Sequence, residues 1–169
     1  MTIYQKFRNM KINYGAIGLE LTGNEEAYFC TPEGAEIFAS AGVDGIHYCI
    51  IQGQGDMIFA VSPMNEAGKN VFPIARNFED LLGLLMACGS MDAIEQAWQW
   101  DETQFDTYLA DYPAKSEALA IFAAVTEQLG ITPMEKPYDY IRRLQESYNY
   151  GELKFSEEYC EILQALAFD

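Results

Sequence analysis

His47 and Cys49 are the residues whose types and spacing come nearest to a nucleophile with its base. Histidine is the commonest general base, and two residues apart on a strand the two side chains share one face. Such neighbours lie about 7 Å apart, too far for the hydrogen bond between a nucleophile and its base. We therefore interpret the pair as lining a core or a sheet surface.

Adjacent acids and glycines could also support chemistry. Two acids adjacent in a helix, such as Glu79 and Asp80, diverge by about 100°, so we interpret such pairs as solvated helix ends and faces. GQGD (53–56) is followed by a strand pattern, whereas a phosphate loop is followed by a helix N-terminus. With one histidine in the chain, we expect no catalytic residue, no metal site and no cofactor.

The charge of the chain indicates the kind of partner it could bind. Ten Lys and Arg stand against 26 Asp and Glu, which gives a formal net charge of −16, and acids are in excess in both halves. Such a charge repels phosphate backbones and anionic membranes and attracts a cationic partner, or it serves solubility alone. We expect a protein partner, no nucleic acid and no membrane.

The sequence also predicts a cytoplasmic protein. Residues 1–15 are broken by charges and lack the apolar run of a signal peptide. No stretch approaches the roughly 20 apolar residues of a membrane span. The cysteines lack the short spacing of a zinc or redox motif and are interpreted as reduced core thiols. They are Cys30, Cys49, Cys88 and Cys160.

The first half of the chain carries the strand patterns. IHYCII (46–51) and MIFAVS (57–62), separated by five turn-prone residues, predict a hairpin. A third run, NVFPIA (70–75), contains Pro73, which cannot donate to a ladder and so predicts an edge or a strand end. Before the hairpin, TPEGAEIFASAG (31–42) combines a threonine cap, a proline and a closing glycine, which predict one short helix.

Beyond residue 76 the pattern becomes helical. Asn77 precedes apolar residues at the i, i+3, i+4, i+7 spacing of an amphipathic helix that ends at Gly89. Further helices are predicted from Ser90 through Trp98, at 103–111, at about 118–129, at 137–146 and after Ser156. Strands first and helices later predict an α+β fold, a small antiparallel sheet packed against several helices. We expect one domain over residues 1–169, with a helical C-terminal extension at about 111–169.

Three consecutive segments resemble the SUKH superfamily over about residues 27–110: GIHYCIIQGQGDMIFAVSP, VFPIARNFEDLLGLLMACGS and AIEQAWQWDETQFDTYL. The matching features are a Gly-rich hairpin, an apolar strand and a Phe-x-x-Leu-Leu helix, here Phe78, Leu81 and Leu82. The resemblance implies an α+β fold and, in bacteria, an immunity protein that neutralises a partner toxin, often a nuclease. The fungal member regulates glucan synthesis and cell-wall assembly. The resemblance implies no catalytic residues.

The negative charge and the lack of a catalytic constellation together predict a protein-binding module that is not an enzyme. Toxins that degrade nucleic acids tend to be basic, so an acidic inhibitor could block them by charge complementarity. Loop position makes Asp44, Asp56 and Glu66 candidate partner contacts. Trp100 is a fourth candidate, because exposed tryptophans anchor protein interfaces, although core packing of its aromatic neighbourhood is the alternative.

Two other functions stay open. The first is a small enzyme or a small-molecule binder whose pocket lies between sheet and helices, with His47, Tyr48 and Cys49 as its polar groups. The second is a regulatory scaffold related to the cell-wall regulators, which the sequence does not distinguish from the protein-binding module.

Overall fold

A computed structural model gives the fold and describes residues 1–22 and 26–168. The helices are α1 (Ile3–Arg8), α2 (Phe78–Cys88), α3 (Met91–Gln96), α4 (Glu102–Asp111), α5 (Ser116–Leu129), α6 (Pro137–Ser147) and α7 (Glu157–Leu166). The strands are β1 (Glu20–Leu21), β2 (Ala35–Ser40), β3 (His47–Ile51), β4 (Ile58–Val61) and β5 (Val71–Ala75). Short 3₁₀ turns lie at Tyr14–Ile17, Ala97–Gln99 and Tyr150–Glu152. The predicted α+β class is confirmed.

In the described part of the chain, five strands form one antiparallel sheet in sequence order, from β1 to β5. The predicted hairpin is confirmed, since β3 and β4 pair with Tyr48 opposite Ala60. Gly53 and Gly55 in its turn have φ angles of +86° and +65°, which residues with a side chain rarely adopt. β5 lies at the edge of the sheet, as Pro73 predicts. Proline has no backbone N–H to donate, and an edge strand tolerates this because it has a partner strand on one side only.

The helix predicted at residues 31–42 is wrong, because Ala35–Ser40 forms β2 between β1 and β3. Thr31 and Pro32 begin a turn in which the Ala35 N–H donates to the Pro32 carbonyl. A Thr-Pro pair is found in turns as well as at helix starts. Here backbone pairing with residues distant in sequence decides between the two.

The helices after residue 76 form where the sequence predicts them. The Asn77 side chain accepts a hydrogen bond of 2.8 Å from the Asp80 N–H and so caps α2, which ends at Gly89 with a φ angle of +83°. α4, α5, α6 and α7 cover the other predicted ranges, and α3 with its following 3₁₀ turn covers the range that begins after Ser90. In residues 1–22 and 26–168, no helix combines the length and hydropathy needed to cross a membrane.

Both faces of the sheet carry buried apolar side chains. Tyr48 and Ile58 face the larger core, which also contains the apolar side chains of α2, α3 and α5. Cys49 and Phe59 point the opposite way, into a smaller core closed by Tyr159 of α7. α6 packs along the edge strand β5, so the C-terminal helices cover one edge and one face of the sheet.

Candidate functional site

His47 is fully buried and both of its ring nitrogens are in hydrogen bonds. Its Nδ1–H donates to the Gly45 carbonyl over 2.8 Å, since a carbonyl oxygen can only accept, and its Nε2 lies 3.0 Å from the Thr31 hydroxyl oxygen. The Thr31 oxygen in turn accepts from the Tyr28 N–H over 2.8 Å. The imidazole thus links the segment before β2 to the β2–β3 loop, and it also stacks on the Tyr28 ring at 5.4 Å.

The cysteines show no sign of activation. All four are free, with Cys30, Cys49 and Cys88 buried and Cys160 half-buried. Burial raises the pKa of the Cys49 thiol to about 12, so the thiolate needed for attack is suppressed. His47 and Cys49 are both fully buried, in agreement with their interpretation as residues that line the core. Neither lines the two surface cavities described below.

The four predicted partner contacts do not form one surface. Asp44 lies in the β2–β3 loop and Glu66 in the β4–β5 loop, at one end of the sheet, whereas Asp56 lies in the β3–β4 turn at the opposite end. Glu66 forms an exposed ion pair of 2.9 Å with Lys69. Asp56 lines a separate cleft beside α1. Asp44 and Trp100 share a surface, through side chains of α3 and α4.

We call this surface the acidic–aromatic face. It combines carboxylates from the β2–β3 loop and α3 with aromatic rings from the start and the outer side of α4. Its members are Asp44, Asp92, Glu95, Trp100, Tyr108 and Tyr112.

The aromatic part of the face is a row of three rings. The Trp100 and Tyr108 centroids lie 4.9 Å apart, and those of Tyr108 and Tyr112 lie 4.8 Å apart. Trp100 and Tyr108 are half-buried, while Tyr112 is 65% exposed. The three rings border an open depression of about 350 Å³ that also includes Asp111. Tilted, partly exposed rings of this kind can offer a face to an incoming group.

The acidic part of the face is centred on Glu95, which is only 8% exposed. Burial is the main cause that raises the Glu95 pKa to about 7, and the negative charges of Asp92 and Asp44 raise it further. A hydrogen bond of 2.6 Å from the Gln96 side-chain amide lowers the pKa and so opposes this rise. The Tyr108 hydroxyl lies 3.5 Å from Asp92 Oδ2, which joins the acids to the ring row. Burial is thus the main reason that this carboxyl retains its proton at a higher pH than an ordinary glutamate does.

The arrangement suits a cation. Aromatic faces attract ammonium and guanidinium groups, and three carboxylates beside them add direct charge pairing. In the described residues, no group of three or more His, Cys, Asp or Glu side chains is arranged to hold a metal ion.

Asp92, Glu95, Tyr108 and Tyr112 are members of the face that the sequence does not single out as contacts. A signal exists for two of them, since Asp92 and Glu95 are three residues apart on a helix and so share one side of it. The proximity of that side to Asp44 depends on the tertiary packing of α3, which no local pattern encodes.

Comparison of the chain with models of protein families, with curated proteins and with solved structures finds no match. Membership of the SUKH superfamily thus remains a hypothesis that depends on the residue pattern alone.

Proposed function

We propose that the protein is a non-enzymatic binding module whose acidic–aromatic face docks onto a basic protein and occludes it. The observation that carries the proposal is Glu95, a carboxyl buried beside two other acids. Burying an unpaired charge costs several kcal/mol of folding stability at most sites, and such groups concentrate where a protein acts. A cationic side chain from a partner would supply the missing counter-charge.

The neighbouring rings support the same proposal. Tryptophan, tyrosine and arginine dominate the energetics of protein interfaces, and an arginine from a partner can stack on Trp100 or Tyr108 while it pairs with Asp92. The net charge of −16 would speed the encounter with a basic surface. Asp44, Asp92 and Trp100 are thus proposed contacts. Asp56 and Glu66 would contribute only to the long-range electrostatic attraction of the partner.

The finer form of the proposal is toxin neutralisation in the cytoplasm, which the SUKH resemblance suggests. A basic nuclease toxin presents the cationic surface that this face fits, because it must engage phosphates. Four free cysteines are in keeping with a reducing compartment. Co-expression with toxin domains encoded beside the gene tests this form, and lack of protection by the wild-type protein would contradict it.

Site-specific photo-crosslinking in the native cell tests the binding proposal itself. A photoreactive phenylalanine at position 112 replaces one exposed aromatic ring by another, and the same residue at Leu119 on α5 is the control, since Leu119 is also more than half exposed. We expect a basic protein to crosslink from position 112 and not from position 119.

The charge requirement is tested in the same experiment. Asp44→Asn with Asp92→Asn should abolish the crosslink, whereas Asp106→Asn with Glu127→Gln, which removes the same charge from exposed positions elsewhere, should leave it intact. Equal loss in both double variants would mean that net charge, and not this face, governs binding.

A further inference from the structure

A second cavity lies at the opposite end of the sheet from Asp44. It is a cleft of about 710 Å³ between α1, the first turn of α2 and one face of the sheet. The sheet side of the cleft includes the cross-strand row Glu36, Ile50 and Ile58, which the register places directly opposite one another on three neighbouring strands. The volume falls within the range of small-molecule sites, about 300 to 1,000 Å³.

Three aromatic rings form the inner wall of this cleft. Tyr4 of α1 meets Phe38 of β2 edge to face at 5.7 Å and Phe78 of α2 at 5.1 Å, and the two phenylalanines lie 6.1 Å apart. Each ring fixes the orientation of the other two, so the wall is preformed. Such a wall accepts an aromatic ring or an alkyl chain.

The rim of the cleft is acidic. Glu36 from β2, Asp56 from the hairpin turn and Glu79 from α2 line it, against the single guanidinium of Arg8. None of the three carboxylates is in an ion pair with another of the described residues. An apolar wall below an acidic rim is complementary to a molecule with an apolar body and a positively charged end.

We propose that this cleft binds a small organic amine, an ammonium group joined to an aromatic or alkyl body. The body packs against Tyr4, Phe38 and Phe78, and the ammonium group faces the carboxylates of Glu36 and Asp56. The proposal is independent of the acidic–aromatic face, because the two cavities share no residue.

Titration with 2-phenylethylamine tests the proposal, with 3-phenylpropionate as a probe of similar shape and opposite charge. We expect the amine to shift the NMR signals of Tyr4, Phe38 and Phe78 and to bind at least about tenfold more tightly than the carboxylate, since reversing the charge beside acids turns attraction into repulsion. Equal or tighter binding of 3-phenylpropionate would overturn the proposal, as would shifts centred on Trp100 and Tyr108.

Charge-neutral variants locate the ammonium group. Glu36→Gln should weaken amine binding about fivefold, which is the scale of one partly exposed charge pair. Asp56→Asn, in an exposed turn that tolerates the change, should act in the same direction and keeps the test valid if Glu36→Gln fails to fold. Glu127→Gln on α5 removes an exposed acid that does not line the cleft and should leave affinity unchanged. Equal affinity of all three variants and the wild type would refute the proposed ammonium position.

Discussion

Replacing Glu95 by glutamine should stabilise the protein, and the gain should grow with pH. The wild-type carboxyl has a pKa of about 7 in the folded protein, against 4.5 for an ordinary glutamate. Each unit of pKa difference corresponds to 1.36 kcal/mol, so ionising this group in the folded state costs about 3 kcal/mol. Glutamine keeps the side-chain shape and carries no charge at any pH.

The sign follows from proton binding. Below pH 4.5 the carboxyl is protonated in both states and contributes no pH dependence. Between pH 4.5 and 7 the unfolded chain has lost this proton while the folded protein retains it, so the free energy of unfolding falls as pH rises. Above pH 7 both states are ionised and the full loss of about 3 kcal/mol has accumulated.

Urea denaturation at several pH values measures this effect. The other titrating groups are common to wild type and variant and cancel in the difference between their free energies of unfolding. That difference should rise by about 3 kcal/mol in favour of Glu95→Gln between pH 4.5 and 8. Glu127→Gln, at an exposed position, is the matched control and should show no such rise. A difference that is flat with pH for Glu95→Gln would refute the reasoning.

Two further predictions concern buried polar groups. Tyr159→Phe should lower the free energy of unfolding by about 1 to 3 kcal/mol in urea denaturation, because the buried Asn70 side-chain oxygen and the Gly68 N–H both bind the hydroxyl that it removes. Tyr112→Phe removes a hydroxyl from an exposed ring and is the control. An equal loss of stability in both variants would contradict the proposed role of the Tyr159 hydroxyl. His47→Ala should cost about 2 to 4 kcal/mol in the same measurement, since it removes a fully buried ring and its hydrogen bonds to Thr31 and Gly45. Unchanged stability with a loss of some measured turnover would instead indicate catalysis by His47.

Local signals were sufficient for most helices because each of them carries its own evidence. α2 has an apolar stripe, a capping asparagine and a closing glycine within 13 residues, so no distant contact is needed to recognise it. The hairpin of β3 and β4 is equally local, since its two strands are adjacent in sequence and its turn contains Gly53 and Gly55.

The error at residues 31–42 occurs where distant contacts decide, whereas α1 is not predicted because it is short. β2 begins after a Thr-Pro pair that also fits a helix start, and its pairing with β1 and β3 is what makes it a strand. α1 has six residues, too few for a periodic pattern to be visible, and it is held by a capping box between Thr2 and Gln5 and by the burial of Phe7.

The candidate site could be predicted in part. Loop position makes Asp44 a candidate contact, and residue type makes Trp100 one, since tryptophan often anchors protein interfaces. That they share a surface, while Asp56 lies at the far end of the sheet, depends on the order of the antiparallel strands and on the packing of α3. The burial of Glu95 contradicts the usual exposure of glutamate and could be found only from the structure.

NMR titration with an arginine hexapeptide at about 0.15 M salt tests the central claim most directly, because that salt screens exposed charges beyond about 8 Å. We predict that the shifted backbone signals cluster at Asp44, Asp92 and Glu95 and that the indole signal of Trp100 moves with them. Shifts spread evenly over the acidic surface, or centred away from these residues, would contradict the proposal that this face is the binding site.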